Sequence, residues 1–182
     1  MLLDKKLVLF HQDCEDRDDA IARLAALFME SGVAKETYLQ GLMDREVEFP
    51  TGLYEEGMYC GVAKETYPQA LVDREANYPT ALPAKAFDIA TPHTFAEHVN
   101  EKQIGFMSLN KPVKWHYMGD VSKEIDISCV FMLALKDGHD QLEMLRGLMK
   151  LFVNNELMER LQKIDTYEEL IEIVTEAGIN LE

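Results

Sequence analysis

Pro92-His93-Thr94 lies 19 residues downstream of Asp73-Arg74-Glu75, and this pairing is what the chain offers for chemistry. A neutral imidazole is nucleophilic near pH 7. A guanidinium is a permanently charged planar fork matched to phosphate oxygens. Proline restricts the backbone just before His93, so the direction of the ring can be set before a ligand arrives. Together they suit phosphoryl relay through an imidazole. A second chemistry uses the same residue type: His93, His98 and His139 as ligands of a hydrolytic zinc, though no compact His-x-x-x-His or Cys-x-x-Cys spacing supports it. His11 and His116 read as surface residues. Cys14, Cys60 and Cys129 are odd in number and far apart, which suits reduced thiols and no zinc site. Cys129 lies in an apolar run and reads as core.

The elements that must hold these residues follow from periodicity. Leu7–Phe10 reads as a strand. Ala20, Ile21, Leu24, Leu27 and Phe28 then repeat at helical spacing, with Asp16 or Asp18 as cap and Gly32 as stop. Phe87–Ala90, Gln103–Leu109, Val113–Tyr117 and Ile125–Leu135 read as strands, the last apolar on both faces and so central and covered. Leu142, Leu145, Leu148, Met149 and Phe152 mark an amphipathic helix beginning near His139. Leu157–Leu161 continues helical, and Asp165-x-x-Glu168 caps a terminal helix stopped by Gly178. The expected fold is a single α/β domain over 1–182, a three-layer sandwich with a mixed central sheet between helices.

One segment occurs twice. Residues 32–53 return at 61–82, offset by 29, with 15 of 22 positions identical. Two copies and no further repeat argue against a solenoid and for a local tandem duplication, with 32–60 as the insert. Each copy carries a capping-box pattern, Thr37-x-x-Gln40 and Thr66-x-x-Gln69, and Pro68 falls early enough in its helix to be tolerated. Arg45 lies 48 residues before His93 and Arg74 only 19, with an uninterrupted link to the Pro92-His93 turn. The second copy is therefore expected to be the functional one.

Composition narrows the partners. The 182 residues carry 18 Lys+Arg against 33 Asp+Glu, a net charge of −15, with no basic stripe for nucleic acid. The N-terminal Met1-Leu2-Leu3-Asp4-Lys5-Lys6 has no apolar signal core, and no apolar run reaches membrane-spanning length, so a cytoplasmic protein without membrane insertion is expected.

In order and spacing, Asp-Arg-Glu followed by Pro79-Thr80-x-Leu82, the Pro92-His93-Thr94 turn with Ala96-Glu97-His98-Val99, Lys111-Pro112-Val113, Phe131–Leu135, His139-Asp140-Gln141-Leu142-Glu143 and Asp165–Glu169 resemble a IIA component of the bacterial sugar phosphotransferase system. The resemblance is to the fructose/mannitol type, closest to its galactitol-type branch. Leu82–Thr91 lacks the glycine-rich run and the isoleucine found before Pro-His in many relatives, which favours that branch and leaves the sugar open. The resemblance implies the same three-layer fold and a phosphotransferase role. His93 would accept phosphate from the phosphohistidine of HPr, on the nitrogen farther from the backbone, and pass it to a cysteine of a cognate IIB component. Arg74 matches the family's arginine, and His139 its second histidine, placed to donate to phosphoryl oxygens. No metal or organic cofactor is implied. The alternative within the resemblance is a regulatory IIA-like domain whose phosphorylation state controls a protein partner.

Overall fold

A computed structural model describes residues 1–31, 66–93, 95, 98–135 and 138–181, apart from the side chains of 138–143. In chain order the described elements are β1 (Leu3–Gln12), α1 (Arg17–Glu30), α2 (Tyr67–Asn77), β2 (Ala81–Leu82), β3 (Asp88–Ala90), β4 (Gln103–Tyr117), β5 (Asp120–Ala134), α3 (Gly138–Val153), α4 (Asn155–Leu161) and α5 (Tyr167–Glu176). Long β4 and β5 form an antiparallel hairpin that is the spine of the sheet. β1 runs parallel to β4, and β3 runs parallel to β5. Short β2 pairs antiparallel with β3 and meets β4 at Ala81 and Tyr117. The sheet is therefore mixed.

Alternation along β5 divides the interior into two layers. Cys129, Phe131, Leu133 and Leu135 pack with Leu148, Leu151 and Phe152 of α3, Met158 of α4 and Leu170 of α5. Val130, Met132 and Ala134 face the other way, onto Ile21, Leu24 and Phe28 of α1 and Tyr67 and Leu71 of α2. With apolar groups on both faces, β5 has to be covered on both sides, and the three-layer α/β sandwich follows. Gly105 is required by this packing, because a Cβ there would collide with the Phe28 ring and press on Leu24.

Local signals explain most boundaries. Asp16 caps α1 by accepting from the Asp19 amide at 2.8 Å. Pro68 sits in the first turn of α2, where its missing N–H costs nothing. Gly178 ends α5 at φ 77°. Three expectations need correction. Gln103–Leu109 and Val113–Tyr117 are one strand, since a register shift between Ser108 and Val113 absorbs Pro112 without ending the pairing with β5. The α5 cap is Thr166, in a full capping box with Glu169, one residue later than the Asp165-x-x-Glu168 pattern suggests. Thr66 makes no capping hydrogen bond; its hydroxyl is bonded to His98 Nδ1 at 2.6 Å instead. Ser31 caps α1, and Gly32 lies outside the described residues. The insert 32–60, which holds the first copy (32–53) with Arg45 and Thr37-x-x-Gln40, is also outside them.

Candidate functional site

Pro92-His93 continues past β3 along the end of β5. The Leu133 amide donates to the Pro92 carbonyl at 2.9 Å, and His93 forms a parallel bridge with Leu133. The carbonyl of Leu133 accepts from the Tyr67 hydroxyl at 2.9 Å. One residue of the central strand thus anchors both the histidine turn and the first turn of α2. The Tyr67 ring is buried and stacked on Phe28 with centroids 5.7 Å apart, and that burial raises its hydroxyl pKa.

His93 Nδ1 lies 2.8 Å from the Thr91 carbonyl oxygen. A carbonyl can only accept, so Nδ1 carries the proton and the neutral ring keeps its lone pair on Nε2. Burial lowers the His93 pKa below its ordinary value, and the Arg74 charge lowers it further; the bond to Thr91 acts the other way. The ring is consequently held neutral near pH 7, with one defined nucleophilic nitrogen.

Arg74 reaches this place from the last turn of α2. Arg74 and His93 line one cleft of about 580 Å³, walled also by Asn77, Tyr78, Pro79, Thr80, Leu82, Thr91, Met118, Val121, Leu145 and Met149. The guanidinium is half-buried, and burial lowers its pKa from a very high starting value, leaving it charged. Its Nη1 is buried and has no hydrogen-bond partner among the described residues. A buried charged donor left unsatisfied costs roughly 1–3 kcal/mol or more, which an arriving anionic oxygen would relieve.

Large apolar side chains crowd the mouth of the cleft. Tyr78, Met118, Val121 and Met149 are 69, 57, 59 and 45% exposed, and all four line it. Apolar surface gathered around a polar centre marks a contact face for another macromolecule better than a pocket for a small solute.

The other candidates are placed as follows. The backbone of His139 is in the first turn of α3, the helix that contributes Leu145 and Met149 to the cleft; its side chain lies outside the described residues. His98 lines a neighbouring cleft with Phe95 and Thr66, on a wall that also includes Arg74. His11 is exposed and bonded to Asp165 at 2.5 Å, and His116 is half-buried on β4. Cys129 is buried, which pushes its thiol pKa far up and removes it as a nucleophile. Among the described residues, no three His, Cys, Asp or Glu converge to hold a metal, and no helix is long and apolar enough to cross a membrane.

Sequence reasoning missed Glu75, Thr80 and Trp115. Glu75 is fully buried and accepts from the Thr80 amide at 2.9 Å, the Trp115 indole at 2.8 Å and the Thr80 hydroxyl. A signal was available. Tyr67, Leu71 and Glu75 follow at spacings of four, so the carboxylate occupies the buried stripe of α2 and not the charged face that Asp73-Arg74-Glu75 suggests.

The model of the family "Phosphoenolpyruvate-dependent sugar phosphotransferase system, EIIA 2" matches residues 1–63 and 60–177. No curated protein matches the sequence. Among solved structures, a candidate PTS IIA protein from Streptococcus mutans is similar with a TM-score of 0.69 and 18% identity, covering 100% of this chain and 99% of that one. IIA mannitol from Escherichia coli gives 0.62 and 18%, over 96% of this chain and 99% of its own. The same Escherichia coli enzyme in complex with phosphorylated enzyme IIB mannitol gives 0.61 and 18%, over 96% and 97%.

Proposed function

Since the chain belongs to the EIIA 2 family of the phosphoenolpyruvate-dependent sugar phosphotransferase system, we propose that it is a phosphoryl carrier working through His93. The observation that carries this reading is the state of the ring: neutral, with Nδ1 committed to Thr91 and the lone pair on Nε2, in one cleft with an arginine whose Nη1 has no partner among the described residues. Nε2 attacks the phosphorus of the HPr phosphohistidine, the donor P–N bond breaks, and Arg74 balances charge on the equatorial oxygens of the in-line transition state. A cysteine thiolate of a cognate IIB component then attacks the same phosphorus and releases His93. His139, at the start of α3, is the second donor to the phosphoryl oxygens. The exposed apolar mouth supports two protein partners taking turns on one face, and the mannitol IIA–IIB complex is a relative's example of such a pair. The sugar we propose is galactitol or a related polyol. In the same reading the second copy is functional and 32–60 is an insert within a single domain; the two family matches meeting at 60–63 support that division.

The test is incubation with the general phosphotransferase enzyme, HPr and labelled phosphoenolpyruvate. One acid-labile, base-stable phosphate is expected on the parent chain and none on His93→Ala. No label on the parent, or equal label on the variant, overturns the reading. Label that no IIB component removes would instead favour a regulatory IIA domain.

A further inference from the structure

The buried polar residues form a path. Among the described residues the polar side chains sealed from solvent are Glu75, Thr80, Thr91 and Ser108, and three of these four lead to His93. Glu75 holds Thr80 by both its amide and its hydroxyl and is itself held by Trp115 of β4. The Thr80 carbonyl accepts from the Thr91 amide at 3.4 Å, adding one more pair to the β2–β3 ladder of Ala81–Ala90 and Leu82–Ile89. The Thr91 carbonyl accepts the Nδ1 proton of His93. We propose that Glu75 is the positioning residue of the site: by fixing Thr80 and, through it, Thr91, it sets the Nδ1–H tautomer of His93 and presents Nε2 as the acceptor.

The geometry favours this over a merely structural carboxylate. A buried carboxylate is costly, and a hydrophobic residue in the third position of the Tyr67, Leu71, Glu75 stripe would pack without that cost. The three donors satisfy Glu75 only if Thr80 stands where it does. The Leu133 amide holds the turn just after Thr91 and the Thr80 carbonyl holds Thr91 itself, so the direction of the Thr91 carbonyl depends on both. Glu75 also lies next to Arg74 on α2, so one clamp fixes the origin of the guanidinium as well. The proposal rests on His93 being the acceptor, but its central claim, the tautomer, is measurable without any phosphoryl donor.

The experiment follows the ring ¹⁵N resonances of His93 in the full, unphosphorylated chain, assigned by their loss in His93→Ala. The parent should show the Nδ1–H tautomer. Glu75→Asp keeps the charge but cannot span Thr80 and Trp115 together, so the resonances should move toward the Nε2–H form. The initial labelling rate should fall about tenfold or more, since a wrong tautomer is costly where a carboxylate orients a reacting histidine. Glu75→Gln keeps the reach and should restore most of both signals. If Glu75→Asp does not fold, Thr80→Val, which removes one of the three donors, should give a smaller shift in the same direction. Parent-like resonances in Glu75→Asp, or in Thr80→Val where it is needed, overturn the proposal. Shifted resonances in a chain that HPr never labels would leave the tautomer control standing and sink the carrier reading alone.

Discussion

The layers on the two faces of the sheet are built differently. Between the sheet and α3–α5 the packing is apolar apart from the half-buried Tyr167 hydroxyl, which donates to the Leu3 carbonyl at 2.6 Å: Phe106, Phe131 and Phe152 interlock with centroids 5.0 and 5.7 Å apart, backed by leucine and isoleucine. Between the sheet and α1–α2 the packing admits Glu75, its three donors and the Tyr67 hydroxyl bond to Leu133. The first layer contributes stability and buries no charged side chain among the described residues. The second accepts the cost of buried polar groups and receives in return a fixed direction for the histidine turn and the arginine. The candidate cleft joins the two, taking Arg74 from the polar layer and Leu145 and Met149 from α3 of the apolar one.

The comparison can be broken from either side. Phe131→Ala, in the apolar layer, should cost about 3–5 kcal/mol of stability, read as a lower denaturant midpoint. Its folded fraction should still be labelled at the parental rate. A lost rate in a fully folded Phe131→Ala would show that the layers are not separable. Arg74→Ala should do the reverse, slowing transfer by roughly a hundredfold to a thousandfold with little change in stability. Arg45→Ala should leave transfer near the parental rate, and the opposite ranking of the two arginines would mean that the first copy is the functional one. His139→Ala should slow both transfers by about a hundredfold while His93 remains the labelled residue. Unchanged transfer in both directions would reduce His139 to a helix-end residue.

The smallest expected effect is in pH. Transfer requires unprotonated His93, so activity should fall on acidification with a midpoint below the ordinary histidine value of about 6.5, because burial and Arg74 both disfavour the cation. In Arg74→Ala the midpoint should rise yet stay below that value, burial being the larger cause. The same group links pH to stability. Below about 6.5 the unfolded chain binds the proton first, so stability should decline as pH falls toward the folded-state pKa of His93. A midpoint above the ordinary value in the parent would contradict the buried, neutral ring.

Much of this was legible in the sequence, in places where one local signal decides. The doubly apolar run of β5, the Asp16 cap and the Pro68 helix start each depend on near neighbours, and the three-layer fold follows from them. Asp165 and Thr166 show the limit of such signals: both are good caps, and only the reciprocal bond of Glu169 selects the second. β2 is two residues long and has no periodicity to detect. The pairing of Glu75 with Trp115 joins residues 40 apart through strand register, which no local spacing encodes. At the site, the residue types at 74 and 93 were readable as chemistry. The carboxylate between them was hidden by its neighbours, because Asp73-Arg74-Glu75 has the composition of a solvated turn.

Trp115 is the only tryptophan in the chain, and its indole N–H is bonded to the carboxylate that anchors the β2–β3 corner. The molecule therefore carries its own optical reporter. Indole emission depends on what its N–H meets, so it senses the Glu75 anchor directly and the seven tyrosines only through energy transfer. Any change in that anchor can be followed in the unmodified protein, in real time and without a label.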